Sequence, residues 1–132
     1  MTLVLHGLCP LIQVYDMPTS LRFYRDGLGF IVAQSSGAGD DVDWVLLRHG
    51  DAALMLNTAY DHGERPPVPD AARVSAHRDI GLFISCPDVD GAYSHLVSRG
   101  LAGAPPKVAP YGMKQLYVTD PDGYEICFQW PV

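Results

Sequence analysis

The sequence predicts an α+β fold in which one βαβββ unit is used twice. In each half a β-rich run feeds a helix-start signal, first Asp16-Met17-Pro18 and then Pro87-Asp88-Val89, and further β-rich runs follow the helix. Sliding the chain on itself by 72 positions brings the halves into register with no gap required: Asp16 falls on Asp88, Ile12 on Ile84, Leu21 on Tyr93, Tyr24 on Leu96 and Leu56 on Phe128. The 132 residues suit one hydrophobic core. The expected organisation is one domain over 1–132, with module one at about 1–60, a connector at about 61–78 and module two at about 79–132.

Leu8 to Tyr15 is the first β-rich run, and proline at position 18 is tolerated in the first turn of the helix that follows. Leu21, Tyr24 and Leu28 then recur on one helical face, and Gly27 and Gly29 end the helix. Phe30 to Ser35, Val42 to Arg48 and Ala52 to Asn57 read as strands. Thr58 to Arg78, with Pro66, Pro67 and Pro69 among charged and small residues, reads as a connector without a packed element. Ile80 to Cys86 restarts the pattern as a strand. Val89, Ala92, Tyr93 and Leu96 stripe a helix that ends at Gly100. A weak strand near Lys107, then Met113 to Thr119 and Glu125 to Trp130 around the Asp120-Pro121-Asp122-Gly123 turn, complete module two.

Composition narrows the function. Hydrophobic residues at 48% against 18% charged exclude a disordered chain. A net charge of −6 with no basic cluster argues against nucleic acid as a partner. No apolar run approaches the ~18 to 20 residues of a membrane span, and the first ten residues do not resemble a signal peptide. A soluble, cytoplasmic protein is expected, with Cys9, Cys86 and Cys127 as free thiols because their spacing fits no zinc, redox or disulfide pattern. Phosphate-binding glycine loops, dinucleotide-binding glycine triplets, zincin helices and hydrolase elbows are absent from the sequence.

Ile12-Gln13-Val14-Tyr15-Asp16 leading into Ser20-Leu21-Arg22-Phe23-Tyr24 and Gly27-Leu28-Gly29-Phe30 resembles the start of the vicinal oxygen chelate superfamily. Asp120-Pro121-Asp122-Gly123-Tyr124-Glu125-Ile126 resembles its ending. That superfamily includes glyoxalase I, extradiol dioxygenases, fosfomycin-modifying transferases and bleomycin-resistance proteins. The resemblance implies two βαβββ modules whose curved mixed sheets surround a cleft, helices on their outer faces, usually completed by homodimer contacts. Whether modules pair within or between chains is open at this level.

The resemblance also implies where catalytic members hold a divalent metal: one His, Gln or Glu on the first strand and one on the fourth strand of each module. Carried over, these positions fall on Cys9, Met55, Gly81 and Cys127. None is a hard nitrogen or oxygen donor, so no Fe, Mn, Ni or Zn site and no cofactor are expected. Two thiols and a thioether leave a soft ion such as Cu(I) as an alternative, beside the plain reading of Cys9 and Cys127 as small hydrophobes. His6 and His77 stand nearest to Cys9 and Gly81 in sequence and are read as surface histidines.

With those four positions facing inward, strand alternation adds Leu11, Gln13, Asn57, Phe83, Ser85, Glu125 and Gln129 to the same face. Trp44 and Tyr111 are placed to overhang it, whereas Trp130 shares parity with Ile126 and Phe128 and is kept out. The candidate ligand site is therefore Cys9, Leu11, Gln13, Trp44, Met55, Asn57, Phe83, Ser85, Tyr111, Glu125, Cys127 and Gln129, with no catalytic residue assigned. Such a lining suits an uncharged or cationic organic molecule; the alternative is that the same side chains fill a core. Glu125 reads equally as a base, a counter-ion or an outward residue.

The expected function is non-catalytic sequestration of a small organic ligand, an antibiotic among the options, in a homodimer resembling bleomycin-resistance proteins. The alternative from another class is a glyoxalase- or dioxygenase-like lyase, isomerase or oxygenase with an atypical metal site. No nucleic-acid or membrane partner is expected.

Overall fold

The computed structural model describes residues 2–101 and 103–132. Its strands are β1 (Leu11–Val14), β2 (Ile31–Ser35), β3 (Trp44–His49), β4 (Ala52–Thr58), β5 (Gly81–Ser85), β6 (Lys107–Val108), β7 (Met113–Thr119) and β8 (Glu125–Pro131). The helices are α1 (Met17–Leu21), α2 (Ala71–Ala76) and α3 (Val89–Ser98). The strands form two four-stranded sheets, ordered β1-β4-β3-β2 and β5-β8-β7-β6. In each, the first strand runs parallel to the last and the other neighbours are antiparallel.

The repeat is visible in the register. Leu11 pairs with Met55 and Phe83 with Cys127, both members displaced by 72. The gapless alignment fails on one strand: Leu46 pairs with Met55, but Tyr117 rather than Val118 pairs with Cys127, a displacement of 71. The cause is the turns. Gly50-Asp51, with Gly50 at φ +56°, joins β3 to β4, whereas the longer Asp120–Tyr124 turn joins β7 to β8.

Local chemistry sets the helix limits. Asp16 caps α1 by accepting from Thr19 N at 3.1 Å, and Asp88 caps α3 by accepting from Gly91 N at 2.9 Å. After Leu21 the helix widens into a π-turn over Arg22–Gly27, closed by Leu28 N donating to Phe23 O at 2.9 Å. The wider turn lets the neighbours Phe23 and Tyr24 both be buried. The first strand is shorter than its β-rich run, starting at Leu11 after Pro10. The connector is not structureless: Asp70 caps α2 through Ala72 N at 3.0 Å, and a 3₁₀ turn covers His77–Asp79.

One core draws on both modules. Ile12, Val14, Leu54 and Leu56 from the first sheet join Leu116, Val118 and Ile126 from the second, with Leu21 and Leu96 of the helical segments between. Each sheet thus buries its helix side in shared apolar contact, the main favourable contribution to folding.

Candidate open-face binding site

The modules are joined by the Asp120-Pro121-Asp122-Gly123 turn. Asp120 Oδ2 accepts from Tyr24 Oη at 2.7 Å, while Oδ1 accepts from the backbone N–H groups of Asp122 and Tyr124 at 2.9 and 2.8 Å. Asp122 accepts from Tyr15 N at 2.8 Å and from Ser20 Oγ at 3.3 Å. Tyr124 Oη accepts from Gln13 N at 3.2 Å and lies 3.1 Å from Gln13 O. The turn therefore seals the outer edge of β1. Burial pushes the Asp120 carboxyl up to about 6 despite its hydrogen bonds, and raises Asp122 as well. His77 is not the free surface histidine expected: its ring stacks on Tyr124 at 4.0 Å and its Nδ1 lies 2.6 Å from Asp122 O.

Because the helix sides of both sheets share a core, the other face of each sheet points away from it, and the two open faces do not confront each other within one chain. On the first sheet, parity places Leu11 and Gln13 beside Met55 and Asn57, with Leu46 and Trp44 next across β3. Cys9 lies just ahead of β1 and is half-buried. Gln13 Oε1 accepts from Asn57 Nδ2 at 3.4 Å; turned over, the Gln13 amide donates to Asn57 O and Thr58 O at 3.2 and 3.1 Å, which satisfies more groups.

On the second sheet the open face carries Phe83 and Ser85, then Glu125, Cys127 and Gln129, then Gln115 and Tyr117. Gln115 is buried and organises the polar groups: its Nε2 donates to Tyr111 Oη at 2.8 Å and to Gln129 Oε1 at 2.9 Å, and its Oε1 accepts from Tyr117 Oη at 3.4 Å. Phe83 meets Tyr117 edge to face at 6.3 Å, and both rings, with that of Tyr111, stay exposed. Cys127 is the floor. Burial pushes its thiol up, so it is a poor nucleophile at neutral pH.

The twelve predicted residues thus fall into two sets on two separate faces. Gln115, Tyr117 and Leu46 were missed, although alternation carried across β3 and β7 would have found them. Trp44 lies within its sheet on β3, between β2 and β4. Trp130 borders a groove of about 1020 Å³ between the modules, which only Phe83 and Ser85 of the predicted set also line.

The metal positions split the same way, Cys9 just ahead of β1 and Met55 on β4 in module one, Gly81 and Cys127 on the second sheet. Thiol, thioether and a residue without a side chain do not fit the hard divalent ion of the catalytic relatives. Among the described residues no group of three or more His, Cys, Asp or Glu is placed to hold an ion, and no helix is long and apolar enough to cross a membrane.

Comparison with known proteins agrees with this architecture. An uncharacterized protein of Escherichia coli (strain K12), YaeR, is 31% identical over 116 residues, covering 82% of each chain. The crystal structure of TnmS3, an antibiotic binding protein from Streptomyces sp. CB03234, superposes with a TM-score of 0.72 at 24% identity over 100% of both chains. The bleomycin-binding protein of bleomycin-producing Streptomyces verticillus, complexed with copper(II)-bleomycin, superposes with a TM-score of 0.67 at 20% identity, covering 96% of this chain and 97% of that one. At these identities the structural likenesses speak for the fold. The family model matching residues 5–128 settles membership: the chain belongs to the Glyoxalase/Bleomycin resistance protein/Dioxygenase superfamily.

Proposed function

We propose that this protein binds a small organic molecule without transforming it. The observation that carries this reading is the open face of the second sheet, where Gln115 locks Tyr111, Tyr117 and Gln129 into a satisfied polar network beneath exposed aromatic rings. Such a face offers flat apolar area with few torsions to freeze and fixed polar groups to orient a guest. The two family metal positions on this sheet, Gly81 and Cys127, supply no hard nitrogen or oxygen donor. Neighbours named for binding an antibiotic and bleomycin support the choice of ligand class.

Since the two faces look away from each other, the cleft is completed in a homodimer, the Phe83–Tyr117 face of one protomer opposite the Trp44–Met55 face of its partner. The three unpaired cysteines suit work in the reducing cytoplasm.

The test is titration with metal-free bleomycin and a panel of aromatic natural products, read by Trp44 fluorescence in a Trp130→Phe variant and by the mass of the recovered compound. Saturable quenching with unchanged mass supports the proposal. Conversion of a bound compound abolished by chelator contradicts it and favours the metal-enzyme alternative.

A further inference from the structure

The open face of the second sheet carries a carboxylate with no counter-ion. Glu125 begins β8 half-buried, and its cross-strand neighbours are Gly81 on β5 and Thr119 on β7, both small and exposed. The ion pairs among the described residues join Arg25, Arg65 and Lys114 to Asp26, Asp40, Asp16 and Asp90, and none engages Glu125. The cation on the same face is Lys107, opposite Gln115 across β6 and β7. Four residues along β8 and two strands across separate it from Glu125, which puts it roughly 16 Å away at the far corner. A carboxylate partly withdrawn from water and left unpaired is better off with a positive charge beside it.

The next row along the face is aromatic. Phe83, Cys127 and Tyr117 lie opposite one another across β5, β8 and β7, and the two rings stand at 88° with centroids 6.3 Å apart. Tyr117 is held by its hydroxyl, which donates to Gln115 Oε1 at 3.4 Å. Phe83 leans back toward the Glu125 row: a Cβ on Gly81 would stand 2.8 Å from its Cε1. Gly81 therefore leaves the ring a place that any other residue would take. Burial raises the Tyr117 hydroxyl and the Cys127 thiol, and the Glu125 carboxylate adds to both, so its field covers the aromatic row.

We propose that Phe83, Tyr117 and Glu125 form a subsite for an organic cation, an ammonium or a protonated ring nitrogen carried by the guest. The negative faces of the rings attract the charge, the more so where it is partly desolvated, and Glu125 supplies the counter-ion. The same carboxylate repels an anionic guest, so the subsite selects by charge as well as by shape. Gly81 is a positioning residue that acts through the Phe83 ring. The inference rests on the small-molecule reading above and adds to it the charge of the guest and the residues that read it.

Equilibrium dialysis of the full chain tests it with probes that share one ring system: naphthylmethylamine, a cation at neutral pH, naphthylmethanol, which is neutral, and naphthoate, an anion. The amine is expected to bind the wild type at least about tenfold tighter than the alcohol, with naphthoate weakest. Added salt weakens the amine and not the alcohol. Glu125→Gln is expected to bring the amine-to-alcohol ratio to within about twofold of one, whereas Asp41→Asn, which removes the same charge from an exposed loop, leaves the ratio at its wild-type value. Gly81→Ala displaces the Phe83 ring and is expected to lower the ratio about threefold; an unchanged ratio overturns its positioning role. An amine that binds no tighter than the alcohol, or a preference that Asp41→Asn lowers as much as Glu125→Gln does, overturns the cation subsite and leaves the small-molecule reading standing. Failure of every probe to bind at millimolar concentration also overturns the subsite, and the reading above falls with it only if bleomycin and the natural-product panel fail as well.

Discussion

Tyr24, in the π-turn of module one, donates a 2.7 Å hydrogen bond to Asp120, in the last turn of module two, and both groups are buried. This contact and its neighbours at Ser20, Tyr15 and Gln13 hold the two sheets with their open faces apart. A buried carboxylate tolerates this position because its oxygens are supplied with donors.

Tyr24→Phe removes one donor and leaves the rest of the packing. Urea unfolding is expected to show a loss of ~1–3 kcal/mol, the cost of leaving a buried acceptor unmet. Since that hydrogen bond favours the ionised form, the same change raises the Asp120 carboxyl further, which a carbon-detected carboxyl titration reads.

Stability should fall as pH rises between about 4 and 6. Asp120 titrates at about 6 when folded against 3.8 as its ordinary value, so in that interval the folded chain holds a proton that the unfolded chain has released. The contribution is full below the unfolded value, lost through the folded one, and flat above it. Two units correspond to an upper bound of ~3 kcal/mol, and ~1–3 kcal/mol is expected. Thermal unfolding across pH checks this, and Asp120→Asn is expected to flatten the slope. Asp16 runs the other way: burial opposes its ionisation, but Thr19 and Arg65 outweigh it and hold the carboxyl low, so its contribution is lost only at more acid pH.

Gly123 and Gly50 make a matched pair. Both have positive φ in the turn before the last strand of a module, but a Cβ on Gly123 would stand 2.8 Å from Val74 O in α2, whereas Gly50 faces open space. Gly50→Ala is expected to cost ~1 kcal/mol from backbone conformation alone. Gly123→Ala should cost more, ~2–4 kcal/mol, because the obstacle is backbone. Equal losses in chemical denaturation would show that α2 does not pack on this turn.

Phe83 is 54% exposed, so its truncation removes little from the core. Phe83→Ala is expected to change unfolding free energy by less than ~1 kcal/mol yet weaken binding of a saturating aromatic guest by at least about tenfold, the loss of one aromatic anchor. Calorimetric titration paired with thermal unfolding separates the two effects.

Much of the fold is legible in local pattern. Caps at Asp16 and Asp88, two-residue alternation in β4 and β8, and the 72-residue recurrence determine element order and the first-to-last strand register. What is not legible arises from long-range contact. α2 escapes notice because three prolines precede it and none of its residues is fully buried, so no apolar stripe marks it. The Asp-Pro-Asp-Gly stretch reads as a turn, and nothing local reveals that its carboxylates reach Tyr24 and Ser20 in the other module. Parity likewise tells which side chains share a strand face. It does not tell that the Cys9 and Cys127 faces point apart, which depends on how the helices and that turn pack.

Native mass spectrometry of freshly purified protein, followed by release and weighing of whatever small molecule travels with it, decides between holding a guest and transforming one. The expected spectrum shows dimers free of stoichiometric transition metal that take up an added aromatic guest and return it at its original mass. One tightly held divalent ion per chain, with a guest returned at a changed mass, would contradict the account.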